Sequence, residues 1–290
     1  MLRVAGPLAE VADAAGTREV RLSPRLPGGP PVAGDRVVVD DAGTQGIIRG
    51  IEPRRTVLER IGSGGRVRAV VANADLLVVV AAVAEPPLVP RLIDRYAVAA
   101  VAGGLDMAVV LTKDDLPHDA AEVATVVRRQ RAAGHPVLVG SAFDPALVEQ
   151  VRELIDGRLA AFAGHSGVGK STLTTALTGV RRATAEVSDR LRSGRHTTTD
   201  PRLIPLPGGG AVVDTAGVRS FWLPPMAPTD IAAGFPDIVA AAGDCRFRDC
   251  RHMGDAGCAA QAAVEPERLE SYRALIEAAE SAVAFARGHD

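Results

Sequence analysis

Between Ala69 and Arg219 the chain alternates short apolar runs with stretches in which apolar residues recur every three or four positions. The runs Leu76–Val83, Met107–Leu111, Val137–Val139, Leu159–Ala163, Leu203–Pro205 and Ala211–Val213 have strand length, and predict a mostly parallel sheet. The periodic stretches Leu92–Ala102, Ala120–Ala133, Pro145–Ile155 and Lys170–Leu177 predict helices covering that sheet. Upstream, the runs at 37–39 and 46–48 lie between turn clusters such as P-G-G-P-P and D-D-A-G, which predicts an all-β module. The Gly-rich I-G-S-G-G at 61–65 reads as its boundary or hinge. Beyond Phe221 come a Pro-rich W-L-P-P-M-A-P, a cysteine cluster and a helix from about Glu265 to Arg287. The expected division is 1–65, 66–222 and 223–290, with no internal repeat.

Composition narrows the classes. A chain of 290 residues with 47% hydrophobic and 23% charged residues is an ordinary globular protein. Its net charge of -2 excludes a uniformly basic coat, so any contact with nucleic acid has to come from local patches, such as the six arginines between Arg49 and Arg68. No apolar run is long enough to span a membrane, and the N-terminus lacks the layout of a signal peptide. The expected location is the cytoplasm, where three cysteines need not pair. One oddity carries more weight. Of 33 Lys plus Arg, only Lys113 and Lys170 are lysine, and both fall inside candidate nucleotide motifs. A chain so poor in lysine should use it where a mobile ammonium is hard to replace by a guanidinium fork.

A-F-A-G-H-S-G-V-G-K-S-T, starting at Ala161, fits G-x-x-x-x-G-K-[ST] between an expected strand and an expected helix. In such a loop, running here through Gly164, His165, Ser166, Gly167, Val168, Gly169, Lys170, Ser171 and Thr172, backbone N–H groups surround the β-phosphate. Lys170 would reach the β- and γ-phosphate oxygens, and the Ser171 hydroxyl would ligate Mg²⁺. D-T-A-G follows the last apolar run. Asp214 can hold a Mg²⁺-bound water there, and the Gly217 N–H can sense the γ-phosphate. Four residues are often only a turn, but the spacing after the phosphate loop suits a GTPase. Between the two motifs lies the polar R-S-G-R-H-T-T-T-D, a loop from which Thr198 is the favoured further Mg²⁺ ligand.

T-K-D-D at 112–115 would read the base. Asp115 can accept from N1–H and the exocyclic amine of guanine together, with the Lys113 stem along the ring face. Thr112 stands where most GTPases have Asn, which changes one side-chain contact. Downstream, Ser141-Ala142 ends a strand where a backbone N–H could meet guanine O6. The base-reading segments thus precede the phosphate loop in the chain. Cutting a GTPase sheet between its two halves and joining the old ends gives this order.

All three cysteines fall in C-x4-C-x-H-x5-C: Cys245, Cys250, His252 and Cys258. Three thiolates and an imidazole make a closed tetrahedral zinc shell of the structural kind. Arg246, Phe247, Arg248 and Arg251 around it suit RNA or form a solvated charged turn.

The permuted order T-K-D-D, S-A, G-H-S-G-V-G-K-S, G-R-H-T-T-T, D-T-A-G, closed by the cysteine–histidine motif, resembles the ribosome small subunit-dependent GTPase A (RsgA) family. P-V-A-G-D-R-V-V-V and G-I-I-R-G-I-E-P-R-R-T-V-L-E-R resemble that family's OB-fold. The resemblance implies a multidomain chain: an N-terminal OB-fold, a central α/β circularly permuted P-loop GTPase domain and a C-terminal helical zinc-binding domain. It further implies a monomer using GTP, Mg²⁺ and one zinc ion, with low activity stimulated by the 30S subunit late in its maturation and contacts to 16S rRNA. Val218 follows D-T-A-G where glutamine-using GTPases have Gln, so His196 or the RNA itself is the expected aid to the attacking water. The competing expectations are a GTP-gated RNA-binding protein with incidental hydrolysis, and a P-loop kinase with a small-molecule acceptor.

Overall fold

The computed structural model describes residues 1–41, 45–62, 65–180, 201–215 and 221–287. At its centre is a six-stranded sheet built from β8 (Leu76–Ala82), β9 (Asp106–Thr112), β10 (Val137–Val139), β11 (Leu159–Ala163), β12 (Arg202–Pro205) and β13 (Ala211–Asp214), in the order β10-β9-β8-β11-β13-β12. All neighbours are parallel except β12, which runs antiparallel to β13 at one edge. The central strand β8 is apolar throughout because both its faces are covered. Leu77 and Val79 pack toward helices α1 (Pro90–Gly103) and α2 (Ala120–Ala132). Leu76, Val78 and Val80 pack toward α3 (Pro145–Leu154) and α4 (Lys170–Thr178).

The parallel register has a functional result. It aligns Ala82 with Thr112, Leu111 with Val139, Ala163 with Val79 and Phe162 with Asp214. The C-terminal ends of these strands therefore share one edge, where open α/β sheets bind ligands.

The N-terminal module is a five-stranded sheet of β1 (Arg3–Ala5), β2 (Leu8–Asp13), β3 (Gly16–Leu22), β4 (Val37–Asp40) and β5 (Ile47–Ile51). Its order is β1-β2-β3-β5-β4, with β3 and β5 parallel, the arrangement of a five-stranded OB-type barrel. Next come β6 (Val57–Ile61) and β7 (Val67–Ala72), an antiparallel hairpin whose Leu58, Val70 and Val71 belong to the core of the central domain. Between the two strands the Gly62 N–H donates to the Arg66 carbonyl at 2.8 Å, and the Gly65 N–H to the Gly62 carbonyl at 3.2 Å.

The C-terminal module holds α5 (Pro228–Ala233), α6 (Pro236–Ala242), α7 (Ala260–Ala263) and α8 (Pro266–Arg287). Its core of Ile231, Phe235, Ile238, Tyr272 and Ile276 includes Val98 of α1, so the module packs directly on the central domain. One buried arginine fastens the joint. Arg268 of α8 pairs with Asp94 of α1, donates to both carboxylate oxygens of Asp237 at 3.1 Å, and lies 4.3 Å over the Phe235 ring. Burial pushes the Asp94 carboxyl above its usual range, and the nearby Arg268 charge opposes that without overcoming it. Removing the arginine would leave the buried Asp94 carboxyl without its cation, while Asp237 remains partly in water. Arg268→Met is accordingly expected to lose about 3–5 kcal/mol of stability. Urea unfolding of the full chain measures it; a loss under about 1 kcal/mol would contradict this account of the joint.

Candidate functional site

The phosphate loop leaves β11 at Ala163, and its backbone explains its glycines. Gly164 has φ 143°, and a Cβ there would lie 2.0 Å from the Val80 carbonyl oxygen. Gly169, at φ 94°, is the N-cap of α4, which begins at Lys170. The first-turn N–H groups of a helix lack intrahelical partners and are the usual donors to a phosphate. Lys170 is buried beneath the loop, where its ammonium donates to the Gly164 carbonyl at 2.8 Å and the His165 carbonyl at 2.6 Å. Burial pulls it below the usual lysine range, and the Asp214 carboxylate opposes the shift. An ammonium has three donors, so two hydrogen bonds fix its position and leave one for a phosphate oxygen.

Asp214 ends β13 as a buried side chain. The following Thr215 donates its hydroxyl to the Phe162 carbonyl at 2.7 Å, which fixes the strand end beside the phosphate loop. Ser171 and Thr172 lie half-buried in the first turn of α4. Ser171, Asp214 and Lys170 thus gather a hydroxyl, a carboxylate and an ammonium at the end of β11 and β13, a donor set that fits a magnesium–phosphate group. Gly217, His196 and Thr198 lie outside the described residues.

The T-K-D-D and S-A segments reach the phosphate loop across the sheet edge. Thr112, fully buried at the end of β9, donates its hydroxyl to the Val168 carbonyl at 2.6 Å, with the Ala81 carbonyl at 3.2 Å. A hydroxyl therefore ties the base loop to the phosphate loop at the position where an Asn was to be expected. A Cβ on Gly169 would stand 3.6 Å from both the Thr112 hydroxyl oxygen and the Ala142 Cβ. Residues 112, 142 and 169, distant in sequence, are neighbours. Lys113 has φ 64°, and its ammonium donates to the Glu85 carbonyl. Asp115 is exposed to solvent, and Ser141 is half-buried beside Ala142.

Sequence reasoning missed one contributor, Tyr96 of α1. Its phenol is buried and is pushed up to about 12, chiefly by burial, with the backbone of Gly164 opposing the shift. As one of only two tyrosines in the chain, set in an Ala/Val helix, it carried a faint signal.

The cysteine cluster closes as its spacing requires. The three sulfurs and the His252 imidazole place their ligand atoms within 4.8 Å of one another. His252 Nδ1 lies 3.7 Å from Cys245 Sγ, 3.6 Å from Cys250 Sγ and 3.4 Å from Cys258 Sγ. Tetrahedral zinc with ordinary bond lengths would set such N···S pairs about 3.6 Å apart. The residues fit zinc. The Ala259 N–H donates to Cys245 Sγ at 3.3 Å, and the Arg273 guanidinium donates to the His252 carbonyl at 2.6 Å. Such outer contacts orient ligands.

Comparison with known proteins agrees with this geometry. The family model described as RsgA GTPase matches residues 51–224. The chain belongs to the RsgA GTPase family. A relative from Pseudomonas fluorescens strain SBW25, named small ribosomal subunit biogenesis GTPase RsgA, is 40% identical over 255 residues, covering 84% of this chain and 74% of its own. RsgA relatives of the same name from Azotobacter vinelandii (39% identical, covering 84% and 74%) and Chromohalobacter salexigens (38%, covering 85% and 74%) are similar. Among solved structures, YjeQ from Thermotoga maritima superposes with TM-score 0.70 at 24% identity, over 96% of each chain. YloQ, described as a circularly permuted GTPase, gives 0.70 at 22%, over 97% of this chain and 93% of its own. At those identities the likeness carries the fold, including the permuted strand order of the RsgA family.

Proposed function

We propose that this chain is a GTPase that binds the small (30S) ribosomal subunit, acts in its late maturation and hydrolyses GTP with stimulation by the subunit. The observation that supports the nucleotide reading is the meeting of Thr112 and Ala142 at Gly169, which brings the T-K-D-D and S-A segments to the phosphate loop. The names of the RsgA relatives supply the ribosomal part.

In this reading Asp115 accepts from guanine N1–H and its exocyclic amine, Lys113 lies along the ring, and a backbone N–H at Ser141-Ala142 meets O6. Lys170 and the amides of 164–172 hold the phosphates, and the Gly217 N–H senses the γ-phosphate. Ser171 and Thr198 would hold Mg²⁺, with Asp214 acting through a water; such an ion would supply positive charge against the charge that develops on the phosphate oxygens. His196 or an RNA group positions the attacking water. The cysteine–histidine cluster holds structural zinc, and the modules 1–65 and 223–290 contact 16S rRNA around the GTPase domain 66–222. No helix among the described residues is long and apolar enough to cross a membrane. The proposed setting is the cytoplasm, and the proposed state a monomer.

The absence of glutamine at 218 favours a second reading, a GTP-gated RNA-binding protein in which hydrolysis is incidental. Phosphate release from GTP with and without purified 30S subunits, with 50S as control, separates them. The proposal expects stimulation by 30S alone. A rate unchanged by 30S supports the second reading.

A further inference from the structure

Of the six arginines between Arg49 and Arg68, three are neutralised locally: Arg49 pairs with Asp40, Arg54 with Asp35 and Arg55 with Asp75. Among the described residues the other three, Arg60, Arg66 and Arg68, have no carboxylate partner. All three lie on or next to the strands β6 and β7, and Arg60 stands directly opposite Arg68 in the antiparallel register. Like charges placed opposite each other in a sheet are destabilising. Arg66 and Arg68 are exposed to solvent, and the Arg68 side chain lies across Gly62, where a Cβ would stand 2.8 Å from its Cδ. The fold gathers these charges and does not answer them.

An exposed indole lies beside them. The Trp222 carbonyl accepts from the Ile61 N–H at 2.9 Å, so the tryptophan backbone runs along β6 next to Arg60. The residue is left out of the core and is 55% exposed. The Arg95 guanidinium lies 5.2 Å over the ring and is itself fixed by donating to the Phe221 carbonyl at 3.1 Å. A cation held over one face steadies an indole and leaves apolar, flat surface for a second partner.

From the charge and the ring together we infer that Trp222, Arg95, Arg60, Arg66 and Arg68 form a contact for single-stranded RNA. An unpaired base stacks on the Trp222 indole, and the neighbouring phosphates pair with the hairpin arginines. Guanidinium forks match phosphate oxygens in pairs. Unpaired bases are splayed out onto aromatic rings and guanidinium planes, whereas a duplex keeps its bases stacked on one another. An acidic peptide would answer the charge but has no use for a flat, arginine-backed indole. Placing this RNA on the small subunit rests on the ribosomal reading above; the chemistry of the contact does not.

Trp222 is the chain's one tryptophan, so its emission reports the contact directly. The full-length, zinc-loaded protein is titrated with single-stranded oligoadenylate, with an RNA duplex of the same length and with polyglutamate. Oligoadenylate is expected to quench the emission saturably, and the other two are not. Binding of dye-labelled oligoadenylate, followed by anisotropy, should weaken by about 5- to 100-fold in Trp222→Leu. In a protein carrying both Arg66→Gln and Arg68→Gln, the slope of log affinity against log salt should shrink by about 1.4, the share of two phosphates on a single strand. GDP affinity, zinc content and melting temperature should match wild type in both proteins, which separates the effect from misfolding. Emission unquenched at saturating oligoadenylate overturns the inference, as does Trp222→Leu binding within about twofold of wild type. Quenching by the duplex as strong as by oligoadenylate overturns the unpaired base, and quenching by polyglutamate alone points to an acidic protein partner instead. Purified 30S subunits form a separate arm, in which Trp222→Leu should also bind more weakly. Wild type that binds oligoadenylate through Trp222 but no 30S subunit overturns the ribosomal reading and leaves the RNA contact standing.

Discussion

Lys170→Ala should lower kcat/KM for GTP hydrolysis by about 10²–10³-fold, equivalent to about 2.7–4 kcal/mol of transition-state stabilisation. The reason lies in how the ammonium is held. Two carbonyls of its own loop, those of Gly164 and His165, fix it at 2.8 and 2.6 Å, so it is in place before the phosphates arrive. Such a preorganised charge does not reorganise during the reaction, which is what makes it effective. Arginine should not rescue the loss. A planar guanidinium is bulkier than the buried ammonium it would replace, and its fixed fork does not match donors aimed at two loop carbonyls and a phosphate. Steady-state phosphate release over a range of GTP concentrations checks the effect. A Lys170→Arg variant that retained full kcat/KM would contradict this role.

Cys258→Ser should abolish stoichiometric zinc and unfold the C-terminal module. Cys258 is buried in the same core as Phe235, Val264, Leu269 and Tyr272, while Cys245 and Cys250 pack at its edge. Between α6 and α7 the segment 243–259 has no helix or strand, so a bound zinc ion would take over the work a longer core would do. Structural zinc contributes about 10–16 kcal/mol of apparent binding free energy in small zinc-finger peptides, far more than the stability of a typical small module. Because thiolates and neutral imidazole would be the ligands of such an ion, acidification should release it and mimic the mutation. Metal analysis combined with hydrogen exchange over 223–287 reads both. A variant without zinc that kept full amide protection in α8 would show that the helices fold without it.

What was legible in the sequence follows from where local signals and tertiary structure agree. The strands at 76–82, 106–112 and 159–163 are buried on both faces, so unbroken apolar runs announced them. The phosphate loop was readable because its glycines answer to hard geometric limits, such as the Val80 carbonyl against Gly164. The short helices α5 and α6 were not readable: each opens with a proline at its first turn, Pro228 at the end of the Pro-rich W-L-P-P-M-A-P and Pro236 beyond it, and each is too short for an apolar period to show. The strands β1 to β3 were hidden by exposure, for β3 buries only Val20 and shows no alternation strong enough to read. Long-range polar contacts were beyond reach. Nothing local in Arg268 or Asp94 marks them as partners 174 positions apart. Thr112 was legible as a departure, and its bond to Val168 explains how a threonine serves there.

The central claim is that one pocket, built from segments in rotated chain order, reads guanine at Asp115 and binds phosphates at the loop around Lys170. Equilibrium binding of GDP, xanthosine diphosphate and ADP to wild type and to Asp115→Asn tests it most directly. Wild type should prefer GDP over both others. The Asn amide offers a donor where guanine also donates, so GDP affinity should fall by about 10²-fold or more and xanthosine diphosphate, which carries a carbonyl there, should become the preferred ligand. An Asp115→Asn protein that still binds GDP within about twofold of wild type, or a wild type that binds ADP as tightly as GDP, would contradict the claim.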